Sequence, residues 1–186
     1  LFDYATVRGS WYSSSLEAIG AIGAGREDVR EFLLEALDED NSSVAGSAAI
    51  GLAHFPEMTD RSVARLVELL DEDGGDLIAL WALEEYGVAA KAAVPKVRAI
   101  ATGEVSIWAI RTWWRIGGAV DEILPYVIDV LRRPRFEDEA PYLLSVLVEM
   151  GSAASSALPV LREVLDREPE RGLREALRLT IEAIEE

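Results

Sequence analysis

The chain has 186 residues, half of them hydrophobic, and its 34 acidic and 18 basic side chains give a formal net charge of −16. Such a chain has little basic surface, which argues against binding to nucleic acid or to an anionic membrane. It contains no cysteine and one histidine, which excludes disulfides, cysteine-ligated zinc and metal sites built from several histidines. No apolar run approaches the roughly 18 residues of a membrane span. The composition predicts a soluble, cytoplasmic protein without a cofactor.

The first twelve residues fit none of the periodic patterns found later in the chain. Residues 1–12 contain four aromatic side chains, Phe2, Tyr4, Trp11 and Tyr12. We interpret this segment as an N-terminal cap on the end of a helical domain predicted for residues 13–186. A binding strand or the remnant of a tag is the alternative.

Two acidic turns follow in the first half of the chain. Leu37-Asp38-Glu39-Asp40 recurs 33 residues later as Leu70-Asp71-Glu72-Asp73, and the corresponding later turn carries Arg132, Arg133 and Arg135. Aspartate and asparagine in such turns commonly cap the next helix, which is the first interpretation. A docking edge for a basic partner is the second. A Ca²⁺ site is disfavoured because the regular ligand loop with its central glycine is missing.

A glycine followed by a proline recurs three times in the second half of the chain. The glycines are Gly87, Gly117 and Gly151, spaced 30 and 34 residues apart. The prolines, each eight residues later, are Pro95, Pro125 and Pro159. Glycine accepts the left-handed conformation that ends many helices, and proline suits the first turn of the next helix. Each pair therefore predicts the junction between two helices.

Apolar residues recur one, four and eight positions before each glycine, which is the spacing of one stripe on a helix. The residues four positions before are Leu83, Trp113 and Leu147, and they are predicted to be buried equivalents. A second stripe follows each proline, and weaker versions of the pattern reach back to the start of the chain. The predicted helices form five pairs and a final single helix: 13–24, 28–38, 43–55, 60–71, 76–86, 92–102, 105–116, 121–133, 138–150, 156–167 and 170–184. One such pair cannot bury its own stripes, so the predicted fold is an all-α, right-handed solenoid of stacked pairs.

The repeat resembles the HEAT-repeat family, in particular the short bacterial type known as phycobilisome-lyase-like HEAT repeats. The resemblance rests on the three glycines and on the triplets Ala93-Val94-Pro95, Ile123-Leu124-Pro125 and Ala157-Leu158-Pro159, and it covers about residues 13–186. The arginine often found early in the family's first helix is missing. The resemblance implies a protein-binding scaffold or, less often, an enzyme such as a bilin lyase. An alkylpurine DNA glycosylase is disfavoured by the acidic charge.

Tryptophan and arginine concentrate in the predicted helix 105–116. Trp81, Trp108 and Trp114, together with Arg111, predict an aromatic and cationic patch suited to an anionic or planar ligand. The alternative is that these large side chains fill gaps between repeats. The single histidine, His54, follows a helix end and is not predicted to be catalytic.

The second helices of stacked pairs line a concave face, and helical phase predicts which side chains point outward there. These are Arg65, Lys96, Tyr126, Asp129 and Arg162. Tyr126 is predicted to have no packing role. The predicted function is a non-catalytic scaffold that binds a protein or peptide, including a basic one, on this face. The alternatives are a bilin-lyase-like enzyme or subunit and an accessory tailoring protein.

Overall fold

The computed structural model describes residues 10–70, 77–103, 106–133, 140–167 and 170–186, with side chains from Ser15 onward. Within these ranges every regular element is helical and there is no β-strand. The prediction of an all-α protein is therefore confirmed.

In the described ranges the eleven predicted helices correspond to eleven α-helices, and no boundary differs by more than three residues. They are α1 Ser10–Ile22, α2 Glu27–Leu37, α3 Ser42–Leu52, α4 Thr59–Leu69, α5 Leu77–Tyr86, α6 Val94–Gly103, α7 Ile107–Arg115, α8 Val120–Leu131, α9 Ala140–Met150, α10 Leu158–Asp166 and α11 Arg171–Glu185. Helix α1 begins three residues earlier than predicted, so the last residues of the predicted N-terminal cap are helical. Residues 1–9 lie outside the described part of the chain.

The three repeat glycines end their helices as predicted. Gly87, Gly117 and Gly151 have φ angles of 51°, 99° and 54°, a region that costs other residues a Cβ clash. At the end of α7 the amide of Gly118 donates to the carbonyl of Trp113 at 2.8 Å, and that of Gly117 donates to Trp114 at 3.1 Å. This is the hydrogen-bond pattern of a Schellman motif.

The prolines behave in two ways. Pro95 and Pro159 are the second residues of α6 and α10, and each is preceded by a 3-10 helix, Gly87–Ala93 or Gly151–Ala157. Pro125 instead lies inside α8, so the expectation that it marks a helix start is wrong there. The chain after Gly118 passes through the extended residue Ala119 and enters α8 directly, without a 3-10 helix.

The chain forms two compact units, Leu1–Lys96 and Val97–Glu186. In the first unit α3 packs against both α1 and α5, while α2 packs on α1 and α3, and α4 packs on α3 and α5. In the second unit α9 packs against both α7 and α11, while α8 contacts α7, α9 and α10. The odd-numbered helices of each unit therefore contact one another in series. Leu83, Trp113 and Leu147 are fully buried, which confirms that prediction.

Helices α1 and α3 approach one another through glycine. A Cβ atom on Gly20 would lie 2.2 Å from the carbonyl oxygen of Gly51, and one on Gly51 would lie 2.6 Å from the carbonyl oxygen of Leu16. Both distances are well inside van der Waals contact, and both obstacles are backbone atoms. The two helices can pack this closely only because neither glycine carries a side chain.

Tyr86, at the end of α5, ties this helix to α3. Its hydroxyl donates a hydrogen bond of 2.6 Å to the carbonyl of Ala49. Burial raises the pKa of Tyr86 to about 12, and the Ser62 hydroxyl opposes that shift. The phenol is therefore held in its neutral, hydrogen-bonding form.

Helix α11 is the final single helix and has two contrasting sides. Leu173, Leu177, Thr180 and Ile184 are buried in a helix that packs on α9 and α10. The opposite side is exposed and charged, with Glu175, Arg178 and Glu182. This arrangement follows the spacing of an amphipathic helix with one buried stripe.

Within the described residues, Ala140–Asp166 is the one helical stretch that is long and apolar enough to span a membrane by length and composition, which the sequence analysis did not anticipate. The core helix of a soluble protein can pass the same test. Here α9 and α10 are separated by the 3-10 helix that starts at Gly151, where φ is 54°. Side chains such as Leu147 and Leu161 are fully buried in the protein.

Candidate partner-binding surfaces

The outward faces of α7 and α9 bring two aromatic side chains together. The ring centroids of Trp108 and Tyr142 lie 4.2 Å apart, with their planes tilted by 58°. Tyr142 is exposed and Trp108 is half-buried. Both stand nine residues before a repeat glycine, Gly117 or Gly151, so equal positions in successive repeats have become neighbours. We call this outer surface of α7 and α9 the aromatic face; its members, which are exposed or half-buried, are Trp108, Arg111, Trp114, Arg115, Tyr142, Ser145, Val148 and Glu149.

One carboxylate on this face receives two donors. The indole Nε1 of Trp114 donates to one oxygen of Glu149 at 3.0 Å. The guanidinium of Arg115 donates to the other oxygen and forms an ion pair with it. The side chains of Arg115 and Glu149 remain 43% and 33% exposed. An N–H donor and a cation therefore converge on a carboxylate at the protein surface.

Sequence reasoning missed Glu149, although a signal was present. Arg115 and Glu149 each lie two residues before a repeat glycine. Residues at equal repeat positions on α7 and α9 are adjacent, so opposite charges at this position predict an ion pair. The same comparison would have paired Trp108 with Tyr142.

The predicted aromatic patch is divided between the two units. Trp81 is on α5 in the first unit and is 44% exposed. Trp108, Arg111 and Trp114 are all on α7 in the second unit and are half-buried. The last three, spaced three residues apart, follow one another along one side of that helix.

The predicted residues on the second helices engage groups of their own chain. Arg65 donates to the backbone carbonyls of Leu37 at 3.4 Å and Glu39 at 3.2 Å, and a cation at the end of a helix such as α2 is favourable. Asp129 pairs with Arg133 at 3.4 Å. Lys96 is half-buried in the first unit, and Arg162 is ion-paired with Glu185 in the second.

Tyr126 has a packing role, contrary to the expectation from its helical phase. Its ring is half-buried, and its centroid lies 6.1 Å from that of Trp113, with the planes tilted by 53°. The guanidinium carbon of Arg98 lies 5.5 Å from the centroid of the Trp113 ring. Arg98 also pairs with Glu122 at 3.2 Å. The indole of Trp113 is large enough to contact Tyr126 and Arg98, which a leucine at the same repeat position would not reach. This is the physical reason why Tyr126 packs against the core instead of having no packing role.

The first acidic turn is followed by a capping residue, Asn41, which fits the capping interpretation for the asparagine but not for the acidic side chains themselves. The side chain of Asn41 accepts a hydrogen bond from the amide of Val44 and caps α3. Asp38 pairs with Arg61 at 2.5 Å, which neutralises part of the acidic run. The second acidic turn and Arg135 lie outside the described residues. In the described ranges no group of three or more metal-ligating side chains is placed to hold an ion.

These features define an all-α protein in which, within each of the two units, the odd-numbered helices contact one another in series. Comparisons of the chain with protein-family models, with curated proteins and with solved structures give no match. The resemblance to HEAT repeats therefore stays a prediction, and the function is argued from geometry.

Proposed function

We propose that the protein is a non-catalytic scaffold of HEAT-like helix pairs, stacked in a right-handed solenoid, that binds a protein or peptide. Support comes from the order of packing, in which α1, α3 and α5, and likewise α7, α9 and α11, contact one another in series. Stacked pairs of this kind form extended surfaces on which a long partner segment is held. A cytoplasmic location is part of the same proposal.

One observation carries the binding role: large apolar side chains are exposed on odd-numbered helices in both units, on α5 in the first and on α9 in the second. Leu77 and Trp81 are 41% and 44% exposed on α5, and Tyr142 and Val148 are 36% and 45% exposed on α9. Apolar side chains grouped on an outer face cost solvation in the free protein, and such groups commonly mark binding sites. Aromatic residues and arginine are also the residues most enriched at protein interfaces.

This observation favours the aromatic face over the second-helix surface named from the sequence. Arg65, Asp129 and Arg162 are engaged within the chain, and a partner would first have to compete for those interactions. Burying the apolar surface of the aromatic face under a partner would favour binding by a free energy of roughly 25 cal/mol per Å². The second-helix surface remains the alternative prediction.

A capture experiment with matched variants separates the two surfaces. The wild-type protein, the double variant Trp108→Ala/Tyr142→Ala, the variant Tyr126→Ala and the control Leu179→Ala are each used as bait, with bound proteins identified by mass spectrometry. Leu179 is an exposed apolar side chain on α11 and is not a member of the aromatic face. We expect a partner that the wild type and the control retain and the double variant loses.

Loss of the partner with Tyr126→Ala alone would instead assign binding to the second-helix surface. If no protein is retained above an unrelated acidic bait, the scaffold proposal is wrong. Circular dichroism of each variant checks that the helical fold is intact.

A further inference from the structure

One side of α1 is apolar and open to solvent. Ile22 is 88% exposed, which is the largest exposed fraction among the large hydrophobic side chains of the described residues. Ala18 and Ala21 precede it on the same helix and are exposed as well. Glu17 is the single charged residue of α1. We call the surface formed by Ala18, Ala21 and Ile22 the open side of α1.

The neighbours of α1 within the first unit pack elsewhere on this helix. Gly20 faces α3, because an added Cβ would lie 2.2 Å from the backbone of that helix. Gly23, just after α1, faces α2, because an added Cβ would lie 2.6 Å from the side chain of Val29. The helical spacing of Ala18 and Ile22 places them on the opposite side of α1. That side is therefore where a further helix of the series α1, α3 and α5 would pack.

An apolar outer side is unusual for the first helix of such a series. Terminal repeats of a stacked array ordinarily carry a polar outer face, because no further repeat covers it. Helix α11 follows this rule with Glu175, Arg178 and Glu182, and α1 does not. Grouped apolar side chains that stay in contact with water commonly mark a surface that another molecule covers.

The surroundings of the open side of α1 are strongly acidic. Residues 15–40 contain eight acidic and two basic side chains, a net charge of −6. Both of these arginines form ion pairs with carboxylates at the start of α2. Glu31 and Glu35, one turn apart on the exposed side of α2, belong to no ion pair within the described ranges. The charge left without a partner in this helix pair is therefore negative.

We propose that the open side of α1 binds a basic amphipathic helix of a partner protein. Apolar side chains spaced three or four residues apart on that helix pack against the open side of α1, in the place that α3 takes on the other side. Its lysine or arginine side chains pair with Glu31 and Glu35. A neutral or acidic helix would gain the same apolar contact but no attraction from the surrounding carboxylates.

This surface adds to the proposed scaffold function and does not depend on the aromatic face. The open side of α1 belongs to the first unit and the aromatic face to the second. The two surfaces can therefore be tested separately.

The test uses the full-length protein and three fluorescein-labelled helical peptides. All three carry leucine at the same positions, spaced three or four residues apart, and their polar positions are all lysine, all glutamine or all glutamate. Fluorescence anisotropy at about 0.15 M ionic strength gives the Kd of each peptide. We expect the lysine peptide to bind at least about tenfold more tightly than the glutamine peptide, and the glutamate peptide to bind most weakly.

The variant Ile22→Glu separates docking on this surface from general attraction between opposite charges. It removes the apolar anchor and adds a negative charge. Docking predicts that the lysine peptide binds at least about tenfold more weakly, whereas general attraction predicts equal or tighter binding. The matched control is Leu179→Glu on α11, which makes the same kind of change at another exposed apolar side chain. It should leave the Kd unchanged.

A second pair of variants tests the carboxylates. Glu31→Gln/Glu35→Gln should weaken binding of the lysine peptide about tenfold, because two exposed charge pairs are lost. The control Glu175→Gln/Glu182→Gln on α11 changes the net charge equally and should have no effect. Trp108→Ala/Tyr142→Ala should have none either. Circular dichroism of each variant checks that the helices are intact.

Several results would overturn the inference. If the glutamine peptide binds as tightly as the lysine peptide, the partner is not basic. If the Ile22→Glu protein binds the lysine peptide as tightly as the wild type, the open side of α1 is not the site. A dimer in sedimentation velocity that Ile22→Glu dissociates would assign this surface to a second copy of the chain.

One further variant tests whether the chain covers this surface with its own N-terminal residues. If the lysine peptide binds only after Phe2→Ala/Tyr4→Ala, those residues occupy the open side of α1 and the inference is wrong. Capture of a partner through the aromatic face is measured separately, so failure of either proposal leaves the other to its own test.

Discussion

The contacts of Trp113 are determined both by its position in the repeat and by its size. Its position four residues before Gly117 assigns it to the core, and it is fully buried. Its size determines which side chains it contacts, because both Arg98 and Tyr126 pack against the large indole ring. Its Nε1 has no hydrogen-bond acceptor in the described part of the chain, so its stabilising contribution comes from apolar contact.

Replacing Trp113 with alanine should lower the free energy of unfolding by about 3–5 kcal/mol, because the change opens a large cavity in the core. The control is Trp81→Ala, where the side chain is 44% exposed and a loss of less than about 1 kcal/mol is expected. Urea denaturation followed by circular dichroism measures both. Equal losses for the two variants would contradict the assignment of Trp113 to the core.

Tyr86 should make the stability depend on pH in the alkaline range. Its pKa is about 12 in the folded protein against an ordinary value of 10.0. Between pH 10 and 12 the unfolded chain therefore loses this proton before the folded protein does. Stability is fully present below pH 10 and should fall towards pH 12, by up to about 3 kcal/mol from this group.

The variant Tyr86→Phe separates this effect from other titrations. At pH 8 it should be less stable by about 1 kcal/mol, because the hydrogen bond to Ala49 is lost. Between pH 10 and 12 its stability should fall less steeply than that of the wild type. Tyr142→Phe, which alters an exposed ring, is the control. Parallel pH curves for Tyr86→Phe and the wild type would show that the Tyr86 phenol does not cause the fall.

At the level of the helices, local signals were sufficient for the boundaries. The helices end at Gly87, Gly117 and Gly151 because the residue after the last turn has a positive φ, which glycine adopts most readily. This requirement can be recognised from the sequence alone. What was not predictable in the same way is that the chain enters α8 directly, without the 3-10 helix that precedes α6 and α10, because this depends on the turn through Gly118, which packs against a buried indole. A Cβ on Gly118 would lie 2.4 Å from the ring of Trp113. Contacts between repeats, such as Tyr126 with Trp113, likewise need the packing of two helices to be known.

The contact between α1 and α3 yields a prediction at this scale. Gly20→Ala should destabilise the protein by about 1–3 kcal/mol, because the helices must separate to admit a methyl group. The gain in helix propensity of up to about 1 kcal/mol from alanine offsets only part of that cost. In the control Gly103→Ala nothing lies within 4 Å of the new Cβ, so the variant should be as stable as the wild type or slightly more so. A Gly20→Ala protein with unchanged stability would mean that α1 and α3 are further apart.

For the whole molecule, the sequence predicted one repeat domain, and the chain forms two compact units. The acidic charge is unevenly divided between them. Residues 1–96 contain 18 acidic and 7 basic side chains, a net charge of −11, and residues 97–186 contain 16 and 11, a net charge of −5. The aromatic face lies in the less acidic unit.

Net charge should govern how the protein responds to salt. The ion pairs described here are at least partly exposed, and such pairs contribute only about 0–1 kcal/mol each. Repulsion within a chain of net charge −16 opposes folding and is also screened by salt. We expect repulsion to dominate, so the Tm should rise as ionic strength increases from about 0.01 to 0.15 M. Each kcal/mol gained corresponds to about 2–4 °C. A falling Tm would show that the ion pairs dominate.

The charged outer side of α11 has a consequence for self-association. In a repeat array, an apolar stripe left exposed on an outer helix would offer a docking surface for a second copy of the protein. A second copy docking on α11 opposite its buried stripe would have to strip water from Glu175, Arg178 and Glu182, and Leu179 is the one large exposed apolar side chain of this helix whose burial would offset that cost. We therefore expect that copies of the protein do not associate through this side of α11 into open-ended filaments.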